Sequence, residues 1–155
     1  MEQVIPQQKA AAEVRISRNY GVAPEKVWRA WTDPQALSQW FGPANPTVTS
    51  AEVDLRVGGR YRIVFKGASG DMNEVSGTYQ EVVPHSRLVF TWAFKSTPER
   101  VSRVSIELKQ QAGGTELRFV HDRFYDEEAR VGHERGWQQG FANLDAMLER
   151  AAQHT

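Results

Sequence analysis

"VGHERGWQQGFANLDAML", Val131–Leu148, carries the repeat that decides the fold. His133, Trp137, Phe141 or Gly140, Leu144, Leu148 and Ala151 recur at intervals of three and four, which lines them up as one stripe of a helix. Leu144, Met147 and Leu148 in its C-terminal half are ordinary aliphatic core, whereas the N-terminal half alternates large aromatics with Gly136 and Gly140, one turn apart. Each glycine costs a helix interior about 1 kcal/mol relative to alanine. Two compensating gains are open. The helix backbone rests directly on a bulky sheet residue such as Trp92 or Phe90, or the small residues beside Trp137 and Phe141 vacate volume for a pocket.

Upstream lies the surface that such a helix would cover. From Val48 to Asp122 the apolar period is two, the signature of strands. "TVTSAEVDL" turns at Gly58-Gly59 into "RYRIVFKG", and after "ASGDMN" come "EVSGTYQEVV", "RLVFTWAF", "RVSRVSIELKQ" and "TELRFVHD". The connections are short, so successive strands pair as an antiparallel meander. Alternation puts Tyr61, Ile63 and Phe65, then Leu88, Phe90, Trp92 and Phe94, then Leu117, Phe119 and His121 on the covered face. "EVRISRNYG" reads as a first strand. "APEKVWRAWTD" and "DPQALSQWFGP" read as short helices, with Pro24 and Pro34 in their first turns, Asp33 as an N-cap and Gly42-Pro43 as the stop.

The order is thus one strand, two short helices, six strands and one long helix of up to about 26 residues, roughly 39 Å. Its acidic start, Asp126-Glu127-Glu128, suits the positive end of the helix dipole. This is an α+β pattern: a curved antiparallel sheet of six or seven strands wrapped around a long C-terminal helix. With 155 residues, 40% of them hydrophobic, the chain supports one core. Residues 12–152 are expected to form a single domain behind a flexible tail, residues 1–11.

Nineteen lysines and arginines balance nineteen aspartates and glutamates, so no basic excess points to nucleic acid or an anionic membrane surface. The absence of cysteine rules out a disulfide framework, a thiolate nucleophile and a cysteine-ligated zinc site. No segment approaches about eighteen consecutive apolar residues, and "MEQVIPQQKAAAE" has no apolar run with a basic flank. A cytoplasmic protein without a membrane span is expected.

"APEKVWRAWTDPQALSQWFGP", "VDLRVGGRYR", "GTYQEVVPHSRLVFTW", "GGTELRFVHDRF" and "HERGWQQGFANLDAMLE" cover about Glu13 to Arg150. In content and order they resemble the SRPBCC (START-related, helix-grip) superfamily, and within it the domain called activator of heat-shock protein 90 ATPase homologue. The resemblance implies a deep cavity between the curved sheet and the C-terminal helix, with the short helices forming a V at one end. That superfamily includes lipid-transfer domains, hormone receptors and polyketide cyclases, so the fold alone names no function. The co-chaperone role is expected to transfer poorly. The eukaryotic activators carry a separate N-terminal domain for much of that binding, and only a short tail precedes Glu13 here.

Within this frame an apolar or aromatic small molecule is the expected ligand, in a pocket lined by Trp40, Phe41, Tyr61, Trp92, His121, Trp137 and Phe141. "WFGP", Trp40 to Pro43, would be the wall of its mouth or simply a hydrophobic cap. His121, on an apolar strand face, is either a satisfied core residue or the polar tip that orients the ligand. A cyclase- or hydratase-like enzyme using His121 with Tyr61 or Tyr79 is one alternative, and a chaperone-interacting protein is another. His121 and His133 flank the last strand-to-helix connection, yet their spacing matches no compact metal motif. Glu52 and Asp54 share a strand face with arginines nearby, which favours an exposed ion-paired face over acid–base work. Neither a cofactor nor a metal is expected. A homodimer is compatible with the sequence, and no chaperone partner is expected.

Overall fold

In a computed structural model, residues 13–42, 47–67 and 69–153 are described. The expected tail at residues 1–11 lies outside them, as do Ala12 at the domain's expected start and Pro43 at the helix stop. The elements are β1 (Val14–Tyr20), α1 (Pro24–Thr32), α2 (Pro34–Trp40), β2 (Val48–Val53), β3 (Arg60–Lys66), β4 (Met72–Val83), β5 (Arg87–Phe94), β6 (Ser102–Gln111), β7 (Gly114–Asp122) and α3 (Glu127–Gln153). β4 begins at Met72, two residues ahead of the expected Glu74, because its pairing with β3 runs out to Lys66↔Met72.

All seven strands form one sheet in the order β1-β7-β6-β5-β4-β3-β2. β2 to β7 are the meander, and β1 returns antiparallel beside β7 from Val14↔His121 to Tyr20↔Thr115. Register shifts at Val48/Ser50 and Tyr79/Glu81 are irregularities of the kind that sharpen local twist, which helps so wide a sheet curl. One sheet glycine is needed for close approach. A Cβ on Gly77 would lie 1.9 Å from the carbonyl oxygen of Thr91. Tyr61, paired opposite Gly77, donates its hydroxyl to that same oxygen at 2.6 Å.

The short helices follow their sequence signals. Pro24 and Pro34 stand in the first turns, and Asp33 caps α2 by accepting from the Gln35 N–H at 2.9 Å. Trp40 ties the two together, donating Nε1–H to the Ala30 carbonyl at 2.8 Å while its ring meets Trp31 at 4.7 Å between centroids. Asp126 accepts from the Ala129 N–H at 2.8 Å at the start of α3, with Glu127 and Glu128 in the first turn.

The stripe facing the sheet is Trp137, Gly140, Phe141, Leu144 and Leu148, all buried. Its fully buried members, Phe141 and Leu144, each contribute about 1.5–3 kcal/mol of apolar burial. The C-terminal half of α3 is also fastened to the edge strand. Tyr20 donates its hydroxyl to Asp145 at 2.7 Å and Arg18 pairs with the same carboxylate at 3.0 Å. No helix among the described residues is long and apolar enough to cross a membrane.

Candidate functional site

The sheet closes on α3 over its C-terminal half and leaves a cavity of about 470 Å³ beside the N-terminal half. Trp40, Phe41 and Gly42 at the end of α2 form one wall. Phe65 and Gly67 from the end of β3, with Trp92 and Phe94 from β5, form the second. On α3 the wall is Ala129, Gly132, His133, Arg135, Gly136, Trp137, Gln139 and Gly140.

The helix glycines are explained here. A Cβ on Gly132 or Gly136 would meet nothing within 4 Å, and one on Gly140 would make ordinary contact, 3.8 Å, with the Gly42 carbonyl and the Trp40 ring. Crowding against the sheet therefore requires none of them. Four-residue spacing stacks all three on one face, so bare backbone forms much of the cavity's helical wall. Gly132 was missed in the sequence, although it continues the same spacing one turn earlier.

Of the seven residues expected to line a pocket, Trp40, Phe41, Trp92 and Trp137 face this cavity. Tyr61, His121 and Phe141 lie behind it. Tyr61 packs edge-on against Phe90 at 5.1 Å and sits beside Tyr79 at 5.6 Å. Phe141 is wedged between Trp31 and Phe119. The small void bounded by Tyr61, Tyr79, Trp92 and Trp137 measures only about 20 Å³, close to the least that admits one water. The interior is thus filled, and the open space is displaced toward the start of α3.

His121 is fully buried, and both its ring nitrogens are engaged. Trp137 donates Nε1–H to Nδ1 at 2.9 Å, so the proton of the neutral ring sits on Nε2 and is donated to Ser102 Oγ at 2.7 Å. Ser102 in turn donates to the Trp92 carbonyl at 3.3 Å. His133 takes the opposite tautomer. Trp92 donates Nε1–H to its Nε2 at 3.1 Å, and its Nδ1–H is donated to the Ala129 carbonyl at 2.7 Å. The histidines thus hold, by the indole N–H groups, two of the three tryptophans that wall the cavity. Burial depresses the pKa of both, and for His121 the neighbouring His133 adds to the effect.

This geometry bears on acid–base chemistry. Ser102 beside His121 has the spacing of a nucleophile and its base, but the nitrogen facing the serine carries a proton and accepts none. Tyr61 is pushed well above its ordinary pKa by burial, and Tyr79 is raised for the same reason. Glu52 and Asp54 are exposed and pair with Arg62 at 3.5 Å and Arg56 at 3.0 Å. His121 and His133 stand 5.1 Å apart between centroids, and among the described residues no three His, Asp or Glu side chains gather to hold a metal.

Residues 22–149 match the family described as Activator of Hsp90 ATPase homolog 1-like protein. The chain belongs to that family. A human relative, activator of 90 kDa heat shock protein ATPase homolog 1, is 31% identical over 106 residues, 68% of this chain. The match spans 28% of the human protein's length. Solved structures of family-like proteins share the helix-grip architecture. One from Chromobacterium violaceum is 31% identical with a TM-score of 0.78, covering 89% of this chain and 97% of its own. Another, from Nitrosomonas europaea, is 28% identical with a TM-score of 0.75, covering 92% and 97%.

Proposed function

We propose that this family member binds a small apolar or aromatic molecule in the cavity between β3, β5 and the N-terminal half of α3. The observation that carries this reading is the stacked trio Gly132, Gly136 and Gly140, which crowding does not require and whose first two members border open space. Each weakens the helix by about 1 kcal/mol relative to alanine, and preserved volume is what their retention supplies. Six aromatic side chains, Trp40, Phe41, Phe65, Trp92, Phe94 and Trp137, supply most of the rest of the lining.

The experiment is to titrate the purified protein with N-phenyl-1-naphthylamine, a neutral fluorescent probe with two aromatic ring systems, alongside Gly136→Ala and Gly136→Leu. Alanine at 136 should raise the unfolding free energy by about 0.5–1 kcal/mol, since the helix improves and nothing is displaced. Leucine should leave the fold intact and weaken probe binding at least severalfold by occupying the space. Loss of stability in Gly136→Ala, or unchanged binding in a folded Gly136→Leu, would reject the cavity as the binding site.

A further inference from the structure

Most described arginines stand against a carboxylate: Arg18 against Asp145, Arg62 against Glu74, Arg103 against Asp122, Arg130 against Glu127 and Glu134. The Arg135 side chain has neither an ion pair nor a hydrogen bond among the described residues, and it lines the cavity. Its own helix supplies no acid within reach. The positions three and four residues away are Val131, Gly132, Gln138 and Gln139. The cavity wall contains no aspartate or glutamate, so Arg135 is its one full charge among the described residues. Of the other polar side chains there, His133 has both nitrogens engaged. Gln139, four residues on, is neutral and presents an amide from the same helix face.

We propose that the ligand is an anionic amphiphile: an apolar ring-bearing body seated among Trp92, Trp137 and Phe94, and an oxyanion, a carboxylate in the simplest case, held at the rim by the Arg135 guanidinium with the Gln139 amide as a second donor. This rests on the cavity being a binding site for apolar molecules, and it adds the sign and position of the ligand's charge. A guanidinium presents paired N–H groups in the plane that a carboxylate or sulfonate accepts. A cationic ligand would meet like charge at the rim and find no carboxylate on the wall.

A matched pair of probes separates the two claims. 8-Anilinonaphthalene-1-sulfonate and N-phenyl-1-naphthylamine share one ring skeleton, and the former adds a sulfonate. Arg135→Gln should weaken the sulfonated probe about two- to fivefold, the modest range of a solvent-exposed charge pair, and leave the neutral probe unchanged. Arg135→Glu should weaken the sulfonated probe further. Added salt should loosen the sulfonated probe on the parent protein and have little effect on the Arg135→Gln variant. Equal changes for both probes would assign Arg135 a packing role through its stem and overturn the proposal, as would an unchanged sulfonated probe. If the neutral probe binds the parent and the sulfonated one does not, the inference about charge fails and the apolar site stands. If neither binds, both fail together.

Discussion

His121→Phe is expected to lower the free energy of unfolding by about 2–5 kcal/mol, although the residue is buried in an apolar setting where phenylalanine looks the better fit. The loss comes from the partners. Trp137 Nε1–H would lose its acceptor and Ser102 Oγ the N–H it accepts from, the serine keeping only its own bond to the Trp92 carbonyl, and a buried polar group stripped of its partner costs about 1–3 kcal/mol. His121→Gln should be far milder, because an amide oxygen can accept from Trp137 while its N–H donates to Ser102. Denaturant unfolding at neutral pH, followed by tryptophan fluorescence, measures all three proteins. A larger loss in His121→Gln than in His121→Phe would show that ring packing against Phe124, 4.3 Å away between centroids, matters more than the hydrogen bonds.

The second large effect is lability in mild acid. His121 and His133 are held neutral in the folded protein, with pKa values pushed below the ordinary 6.5 by burial. Below pH 6.5 the unfolded chain takes up protons that the folded chain refuses. Stability should therefore be full above that pH and fall as pH drops, by up to about 1.4 kcal/mol per unit for each histidine, until the folded-state pKa values are reached. Protonating either ring also turns the nitrogen that accepts an indole N–H into a donor, so the losses fall on Trp92 and Trp137 together. Across the same interval His121→Gln should flatten the slope. A parent protein equally stable at pH 7 and pH 5, or a slope that His121→Gln leaves unchanged, would contradict this account.

Much of this fold was legible in the sequence because each element carried its own local signal. The period-two runs from Val48 to Asp122 gave the meander, Asp33 and the two prolines gave the short helices, and Trp137 to Leu148 gave the buried stripe. The pairing of β1 with β7 joins residues about a hundred positions apart, and no local pattern announces it. The site was less legible for a related reason. Alternation told which face of a strand Tyr61 and His121 occupy, but not how far along the grip the packing closes. That depth depends on Trp31, Phe119 and Phe141 filling the middle of the molecule, a matter of three-dimensional volume. Phe65 and Phe94 were on the correct face without being singled out. Arg135 and Gln139 lie between the glycines on the same helix and attract notice only once the absence of an acid around them can be seen.

A wall made of peptide backbone separates the size of the cavity from its chemistry. At Gly132, Gly136 and Gly140 any replacement removes space, and alanine, the smallest, also strengthens the helix. Volume and stability therefore pull in opposite directions at the same three positions. Each change that makes the helix sturdier would thus also fill the chamber, a methyl group at a time. For the engineer the three positions are size controls arranged along one axis. Alanine, valine or leucine set at successive turns would grade the length of molecule admitted, leaving the aromatic faces opposite and the arginine at the rim as they are.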